Sequence, residues 1–176
     1  MGSSEFDDAY EDDLVSDETE VRRLGESILN ATIRDLDPRP PLALPGTARV
    51  GDAIRVMRDE RIGAVLVTRE ERPVGIFTER DVLSRVALAS LSAETPLQDV
   101  MTSNPETLGI DDGVAFALNR MIHGGFRHIP VVDDDGRAVG VLSQREIVAY
   151  IVSLLPSRVL NLPPQPGLAA HSEHGG

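Results

Sequence analysis

The fold of this chain is decided by a stretch that occurs twice, as VGIFTERD at residues 74–81 and as VGVLSQRE at residues 139–146. The match extends upstream from there. An apolar pattern that ends in methionine fills residues 50–57 and returns at residues 114–121, a separation of 64 instead of 65. A register that holds over this length, with one single-residue insertion, predicts two copies of one structural unit.

Each copy has the pattern of a helix, two strands and a second helix. Residues 50–60 place apolar side chains at helical spacing on one face. Short runs at 64–67 and 74–77, rich in β-branched residues and separated by a polar turn, predict strands. Thr78 opens the second helix, and a short first strand is expected near Pro41–Leu44. One unit is too small to cover its own sheet face, so we predict an α/β (α+β) fold in which the two copies pack together.

The chain divides into five predicted segments. These are an acidic disordered tail (1–17), an amphipathic leading helix (18–31), the first repeat (32–92), the second repeat (93–155) and a Pro- and Gly-rich disordered tail (156–176). The net charge of −12 comes mostly from the first tail, because the first twenty residues hold nine carboxylates and no basic residue. The other 156 residues carry 20 acidic and 17 basic side chains.

Composition excludes several classes of function. The chain has no cysteine, which removes disulfides and thiolate chemistry, and no apolar run long enough to span a membrane. It has no clustered Lys and Arg for nucleic acid and none of the glycine or serine signatures of nucleotide-cleaving or acyl-transfer enzymes. His171 and His174 lack a third metal ligand. We therefore expect a cytoplasmic protein that is not an enzyme and holds no metal.

Three stretches resemble the CBS domain (cystathionine-β-synthase-type) family. They are the strand-to-helix signature GIFTERD at 75–81, the strand FRHIPVVD at 126–133 and the repeat opening DVMT at 99–102. The likeness covers about residues 32–153. It implies a pair of repeats that join through their sheets about a pseudo-twofold axis, and clefts that hold AMP, ADP, ATP or S-adenosylmethionine as regulatory ligands with no further cofactor. It also implies further pairing into a disc-like homodimer.

Two pairs of side chains are the first candidates for ligand contacts. Thr78 and Asp81 lie three residues apart at a helix start, and so do Ser143 and Glu146. A carboxylate there can accept hydrogen bonds from both ribose hydroxyls, while the hydroxyl group and free N–H groups meet phosphate. The same spacing fits a helix capping box. From the residues alone both roles stay open; the resemblance favours a ligand role for Thr78 and Asp81.

Further contacts are expected from apolar edges that could sandwich adenine, from cations that could neutralise phosphate, and from neighbouring residues of the matching motifs. These candidates are Ala64, Val65, Met101 and Ile129; Arg80, Arg127, His128 and Arg145; and Thr102 and Pro130. Gly75 and Gly140 are expected to let a ligand approach the backbone.

The two clefts are not expected to be equivalent. The second copy has Glu146 where the family's binding version has Asp, which lengthens the side chain by one methylene. We assign Arg127 and His128 to the cleft of this second copy, because Gly63 and Ala64 occupy the matching positions of the first.

The interpretation that follows is an adenine-nucleotide sensor that signals to an unidentified effector protein by a change of conformation. The alternative is a structural module for dimerisation or interaction, with clefts that hold no ligand.

Overall fold

The computed structural model describes residues 22–155. The predicted tails at 1–17 and 156–176, with His171 and His174, lie outside the described residues. Residues 22–30 form a helix, α1, within the span 18–31 that was expected to be helical.

The first repeat contains three strands and two helices. In chain order they are a 3₁₀ turn (Ile33–Leu36), β1 (Ala43–Leu44), α2 (Val50–Glu60), β2 (Ala64–Arg69), β3 (Arg72–Thr78) and α3, which begins at Glu79–Asp81. From Val82–Ala87 the helix α3 continues as a π-helix, in which the N–H of Leu88 donates to the carbonyl of Leu83, five residues back, at 3.3 Å.

The second repeat follows the same order. It consists of a 3₁₀ turn (Leu97–Asp99), β4 (Thr102–Ser103), β5 (Leu108–Gly109), α4 (Val114–Gly124), β6 (His128–Val132), β7 (Ala138–Ser143) and α5 (Gln144–Ser153). The predicted unit of a short first strand, helix, two strands and helix is therefore confirmed in both copies. The strand β4 and the π-helical stretch were not predicted.

Each repeat builds one small sheet. The first has the strand order β1-β2-β3-β4 and the second has the order β5-β6-β7, with a parallel first pair and antiparallel pairs after it. Strand β4, near the start of the second repeat, joins the sheet of the first by pairing with β3 through Gly75 and Ser103. The sheets meet where Ala64 and Leu66 of β2 pack near Val141 of β7.

The chain crosses between the two cores. Ile33, fully buried, packs in the core of the second repeat, whereas Leu97, also fully buried, packs in the core of the first. Their backbones are held in the same way: Ile33 N donates to the carbonyl of Asp112 at 2.9 Å, and Leu97 N donates to that of Ala48 at 2.8 Å. Both donors and both acceptors are 64 residues apart. This repeated contact is the pseudo-twofold relation between the two units.

The crossing segments occupy the space beside the two strand glycines. A Cβ atom at Gly75 would clash with Sδ of Met101, and one at Gly140 would lie 3.0 Å from Cβ of Pro38. The expectation that these glycines leave room for a ligand is therefore wrong. Their missing side chains admit the segments that lead into each repeat.

Candidate functional site

A cavity of about 320 Å³ opens between the two repeats. Its walls come from the end of β3 and the start of α3, from the segment around β4, and from the loop that leads into β6. The lining residues are Gly63, Ile76, Thr78, Glu79, Arg80, Asp81, Ser84, Arg85, Thr102, Pro105, Glu106, Phe126, Arg127 and His128.

Thr78 and Asp81 form a complete capping box inside this cavity. The N–H and hydroxyl of Thr78 donate to Oδ2 of Asp81 at 2.9 Å and 2.7 Å, and the N–H of Asp81 donates back to the Thr78 hydroxyl at 3.4 Å. Asp81 is 6% exposed and is the one buried charged residue between 22 and 155. The capping role left open by the sequence is therefore real, and it leaves Oδ1 of Asp81 for other partners.

Arg85 forms an ion pair with that second oxygen. Its Nε lies 3.3 Å from Oδ1 of Asp81, while Nη1 donates to the carbonyl of Val100 at 2.8 Å and Nη2 donates to the hydroxyl of Thr102 at 3.2 Å. One guanidinium thus joins the π-helical part of α3 to the segment that enters the second repeat. A fork of fixed donors suits this three-way contact, which a lysine could not reproduce.

Arg80 reaches across to the second repeat. Its Nη1 donates to the carbonyl of Gly125 at 2.7 Å. Gly125 ends α4 in the left-handed conformation, with φ of 68°. The guanidinium that was expected to neutralise phosphate therefore also caps the carboxyl end of a helix, where a cation is favoured.

The imidazole of His128 forms part of the wall between the repeats. It lies against Gly63, where a Cβ atom would stand 3.0 Å from both Cε1 and Nε2. In the second sheet, His128 is paired with Ser143. The ring therefore borders the cavity of the first repeat, and its backbone lies beside the capping hydroxyl of the second.

Burial lowers the pKa of His128 below its ordinary value of 6.5. The carboxylates of Glu146 and Glu79 raise the pKa, and the guanidinium groups of Arg127 and Arg80 lower it. Because the net direction is downward, the imidazole is neutral near pH 7.

Glu106 contributes another carboxylate to the wall, besides Glu79 and Asp81. Arg120 of α4 forms a two-pronged ion pair with Glu106, in which Nη2 donates to Oε2 at 2.8 Å. The hydrogen bond from Arg120 lowers the pKa of the Glu106 carboxyl and raises that of the guanidinium. The charge of Glu106 is therefore compensated from outside the lining, since Arg120 is not part of the wall.

Six of the predicted site residues line this cavity: Thr78, Arg80, Asp81, Thr102, Arg127 and His128. We assigned Arg127 and His128 to the cleft of the second copy. The structure places them with Thr78 and Asp81 instead, because the loop before β6 faces the end of β3 across the boundary between the repeats.

The other eight predicted residues lie outside the lining. Val65 and Ile129 are fully buried in the two cores, so their side chains do not face the cavity. The rest are Ala64 between the sheets, Met101 against Gly75, Pro130 buried in β6, and Ser143, Arg145 and Glu146 at the start of α5.

Ser143 and Glu146 form their own capping box. The N–H and hydroxyl of Ser143 both donate to Oε2 of Glu146 at 2.7 Å, and the N–H of Glu146 donates back at 3.2 Å. Glu146 is exposed, unlike Asp81.

Eight lining residues were missed: Gly63, Ile76, Glu79, Ser84, Arg85, Pro105, Glu106 and Phe126. A sequence signal existed for two of them, because Ser84 and Arg85 follow Asp81 at the three- and four-residue spacing that puts side chains on one helix face. Glu106 and Phe126 had no such signal, since tertiary packing alone brings them to the cavity.

Two features are absent from residues 22–155. No group of three acidic or histidine side chains in this part of the chain is arranged to hold a metal ion. No helix within the same residues is long and apolar enough to cross a membrane.

Comparison with known proteins supplies the family. Residues 33–88 and 97–153 each match the CBS domain. The CBS domain-containing protein CBSCBSPB3 of Arabidopsis thaliana is 32% identical over 139 residues, which is 78% of this chain and 25% of that protein. The chain thus spans about a quarter of the length of this plant relative.

Solved structures of the same family superpose on the chain. A CBS domain protein of Pyrobaculum aerophilum, complexed with AMP, is 30% identical with a TM-score of 0.63, over 70% of this chain and 99% of that one. The CBS domain pair of protein MJ0100, in complex with 5′-methylthioadenosine and S-adenosylmethionine, is 25% identical with a TM-score of 0.62, over 68% and 98%. With two matched repeats, the observed exchange of segments between their cores and these structural neighbours, the chain belongs to the CBS domain family as a tandem pair.

Proposed function

We propose that the chain is a regulatory module that binds an adenine-containing ligand in the cavity between its repeats. One observation carries the proposal: a buried carboxylate with a hydroxyl partner, Asp81 and Thr78, shares one cavity with Arg127 and His128 of the other repeat. The carboxylate suits a ribose diol, and the guanidinium of Arg127 suits a phosphate.

The chemistry of the ligand is proposed from the wall and from the relatives. AMP is bound by the Pyrobaculum aerophilum protein, and 5′-methylthioadenosine and S-adenosylmethionine are bound by MJ0100. The volume of about 320 Å³ is at the small end of the range for ligand pockets. We propose AMP, ADP, ATP or S-adenosylmethionine as the regulatory ligand, with no further cofactor and no catalytic step.

The signal is proposed to be a shift between two arrangements of the repeats. Arg80 joins α3 to the end of α4, and Arg85 joins α3 to the segment that enters the second repeat. A ligand among these contacts would favour one arrangement over another by its difference in affinity for the two. The recipient would be a separate effector protein in the cytoplasm.

A homodimer is proposed from the exposed helices. Leu83 on α3 and Val148 on α5 are 65 residues apart, occupy matching positions and are 69% and 51% exposed. Phe116 and Ile122 add exposed apolar area on α4, at 52% and 63%. Apolar side chains at matching positions of both repeats suit a symmetric contact with a second copy.

The test is ligand-dependent thermal stability. The purified chain is heated with AMP, ADP, ATP, S-adenosylmethionine, GTP or NAD, and a ligand present at about 100 times its Kd should stabilise the fold by roughly 2.7 kcal/mol. The variant Asp81→Asn should lose the shift. Asp35→Asn is its control, because Thr32 donates to Asp35 through its N–H and hydroxyl at 2.8 Å each in the same kind of capping box.

A structural module is the second candidate, because the contacts of Asp81 with Thr78 and Arg85 also serve the protein's own packing. If no compound moves the melting temperature of ligand-free wild-type protein, and the two Asn variants lose equal stability, the structural module is supported. A shift confined to adenosine compounds, retained in Asp35→Asn and lost in Asp81→Asn, supports the regulatory module.

A further inference from the structure

We propose that Arg85 determines specificity in this cavity: it leaves Asp81 when a ribose binds, and it then makes the site select a phosphorylated ligand over the unphosphorylated nucleoside. This inference rests on the proposed function and names the ligand class of the same site.

The first step is the hydrogen-bonding capacity of Asp81. Oδ2 accepts two hydrogen bonds from Thr78, which use both of its lone pairs. Oδ1 faces Nε of Arg85 at 3.3 Å. A ribose diol has two O–H donors, so it must share or take over Oδ1. Binding of the sugar therefore competes directly with the ion pair between Arg85 and Asp81.

The second step is the charge that the competition leaves behind. Once Nε has left Asp81, the remaining partners of Arg85 are the carbonyl of Val100 and the hydroxyl of Thr102, both uncharged. The guanidinium keeps its positive charge, because arginine does not deprotonate. A cation that loses its anion at a partly closed site is costly unless a new anion replaces it. A phosphate on the ligand supplies that anion, and a bare nucleoside does not.

The third step is the position of the Arg85 guanidinium relative to a phosphate on the ligand. Arg85 and Thr102 both line the cavity, and the Arg85 side chain is 43% exposed. The guanidinium therefore lies at the opening, where a 5′-phosphate can meet it while the sugar meets Asp81. A bidentate contact with phosphate is the geometry for which the arginine fork is suited.

The second copy lacks an arginine at the position that matches Arg85. The position 65 residues after Arg85 is Tyr150, and the one that matches Asp81 is Glu146. Tyr150 packs partly buried against the core of the second repeat. Selection for phosphate through this residue is thus confined to the first copy.

The experiment compares AMP with adenosine by calorimetric titration. Arg85→Met removes the charge and keeps the length of the side chain, and Arg85→Lys keeps the charge without the fork. Arg55→Met is the matched control, because Arg55 lies 3.4 Å from Asp52 in an exposed helical pair outside the cavity.

We expect Arg85→Met to lower the affinity for AMP by roughly 10- to 100-fold, which is the effect of losing a hydrogen bond to a charged group. Adenosine should bind Arg85→Met at least as tightly as wild type, because Asp81 is released. Arg85→Lys should give an intermediate ratio, and Arg55→Met should match wild type. If Arg85→Met does not fold, the ratio measured with Arg85→Lys decides.

The inference is overturned if Arg85→Met leaves the ratio of the AMP and adenosine affinities unchanged. That result covers the case in which both affinities fall equally, which would show a merely structural role, and the case in which neither affinity changes. Both results leave the proposed function intact, because wild type still binds AMP. If wild-type protein binds neither AMP nor adenosine, the inference fails, and the proposed function fails with it only if ADP, ATP and S-adenosylmethionine also leave the melting temperature unchanged.

Discussion

The imidazole of His128 packs against Gly63 across the boundary between the two repeats. A Cβ atom at Gly63 would stand 3.0 Å from two ring atoms of His128 and 3.5 Å from Oε2 of Glu79. The two repeats therefore pack closely at a position where one of them has no side chain, and the residue opposite Gly63 is the histidine that borders the cavity.

Gly63→Ala should displace the His128 ring. The added methyl group would lie closer to the His128 ring than an ordinary van der Waals contact. The resulting overpacking should cost roughly 1 kcal/mol or somewhat more in the free energy of unfolding. The measurement is denaturant unfolding, together with the NMR shifts of the His128 ring. Gly25→Ala on α1 is the control, because nothing lies within 4 Å of its Cβ position. Unchanged ring shifts in Gly63→Ala would contradict this packing.

His128 should make stability depend on pH. Its pKa is lowered in the folded state, so the unfolded chain binds the proton more readily. Stability is therefore complete above the unfolded value of about 6.5, falls as the pH drops through that value, and levels off below the folded pKa. Urea midpoints between pH 8 and 5 should fall more in wild type than in His128→Gln. Parallel curves for the two proteins would rule out this contribution.

Glu146 offers a second test of the same linkage. Its carboxylate raises the His128 pKa, against the larger effect of burial. Glu146→Gln removes the charge and keeps a side chain that can serve in a capping box. The His128 pKa, measured by NMR titration, should therefore fall further in this variant. A pKa that rises or does not change would show that the carboxylate does not act on the ring.

The repeat pattern predicted the units but not how they are joined. Spacings of 64 and 65 residues and short β-branched runs were enough for the helices and strands, because each element buries its own apolar face. The exchange of Ile33 and Leu97 left no such pattern, since each lies in a short 3₁₀ turn with no periodic neighbours. Which core receives them is decided by tertiary contacts alone.

The residues of the candidate site likewise fall into those that local sequence predicts and those that only tertiary contacts place. Thr78 and Asp81 could be predicted because their spacing is a local property of one helix start. Arg127 could be named but not correctly placed, since the loop that holds it faces a strand of the other repeat. The contact of Arg85 with Val100 joins positions in separate elements and lies in a π-helical stretch that propensities do not foresee.

A charge placed at the exposed apolar positions on α3 or α5 should weaken a homodimer that forms through these helices. Leu83→Glu and Val148→Glu should change the free energy of unfolding of the monomer by less than about 0.5 kcal/mol, because both side chains are exposed. Each should shift a dimer towards monomer in sedimentation equilibrium. Leu29→Glu, a substitution of the same kind on α1 at a residue 72% exposed, is the control. Equal effects of all three variants would argue against a contact through α3 and α5.

The exchange of segments predicts a crossed pattern of local stability. Ile33→Ala should cost roughly 2–5 kcal/mol, because Ile33 is fully buried, and so should Leu97→Ala. Ile33 belongs to the first repeat in sequence but packs in the core of the second, so Ile33→Ala should reduce hydrogen-exchange protection first in α4. Leu97→Ala should do so first in α2, since Leu97 packs in the other core. Loss of protection first in the repeat to which each residue belongs in sequence would contradict the exchange. Equal loss in both helices would mean that the two repeats unfold as one cooperative unit.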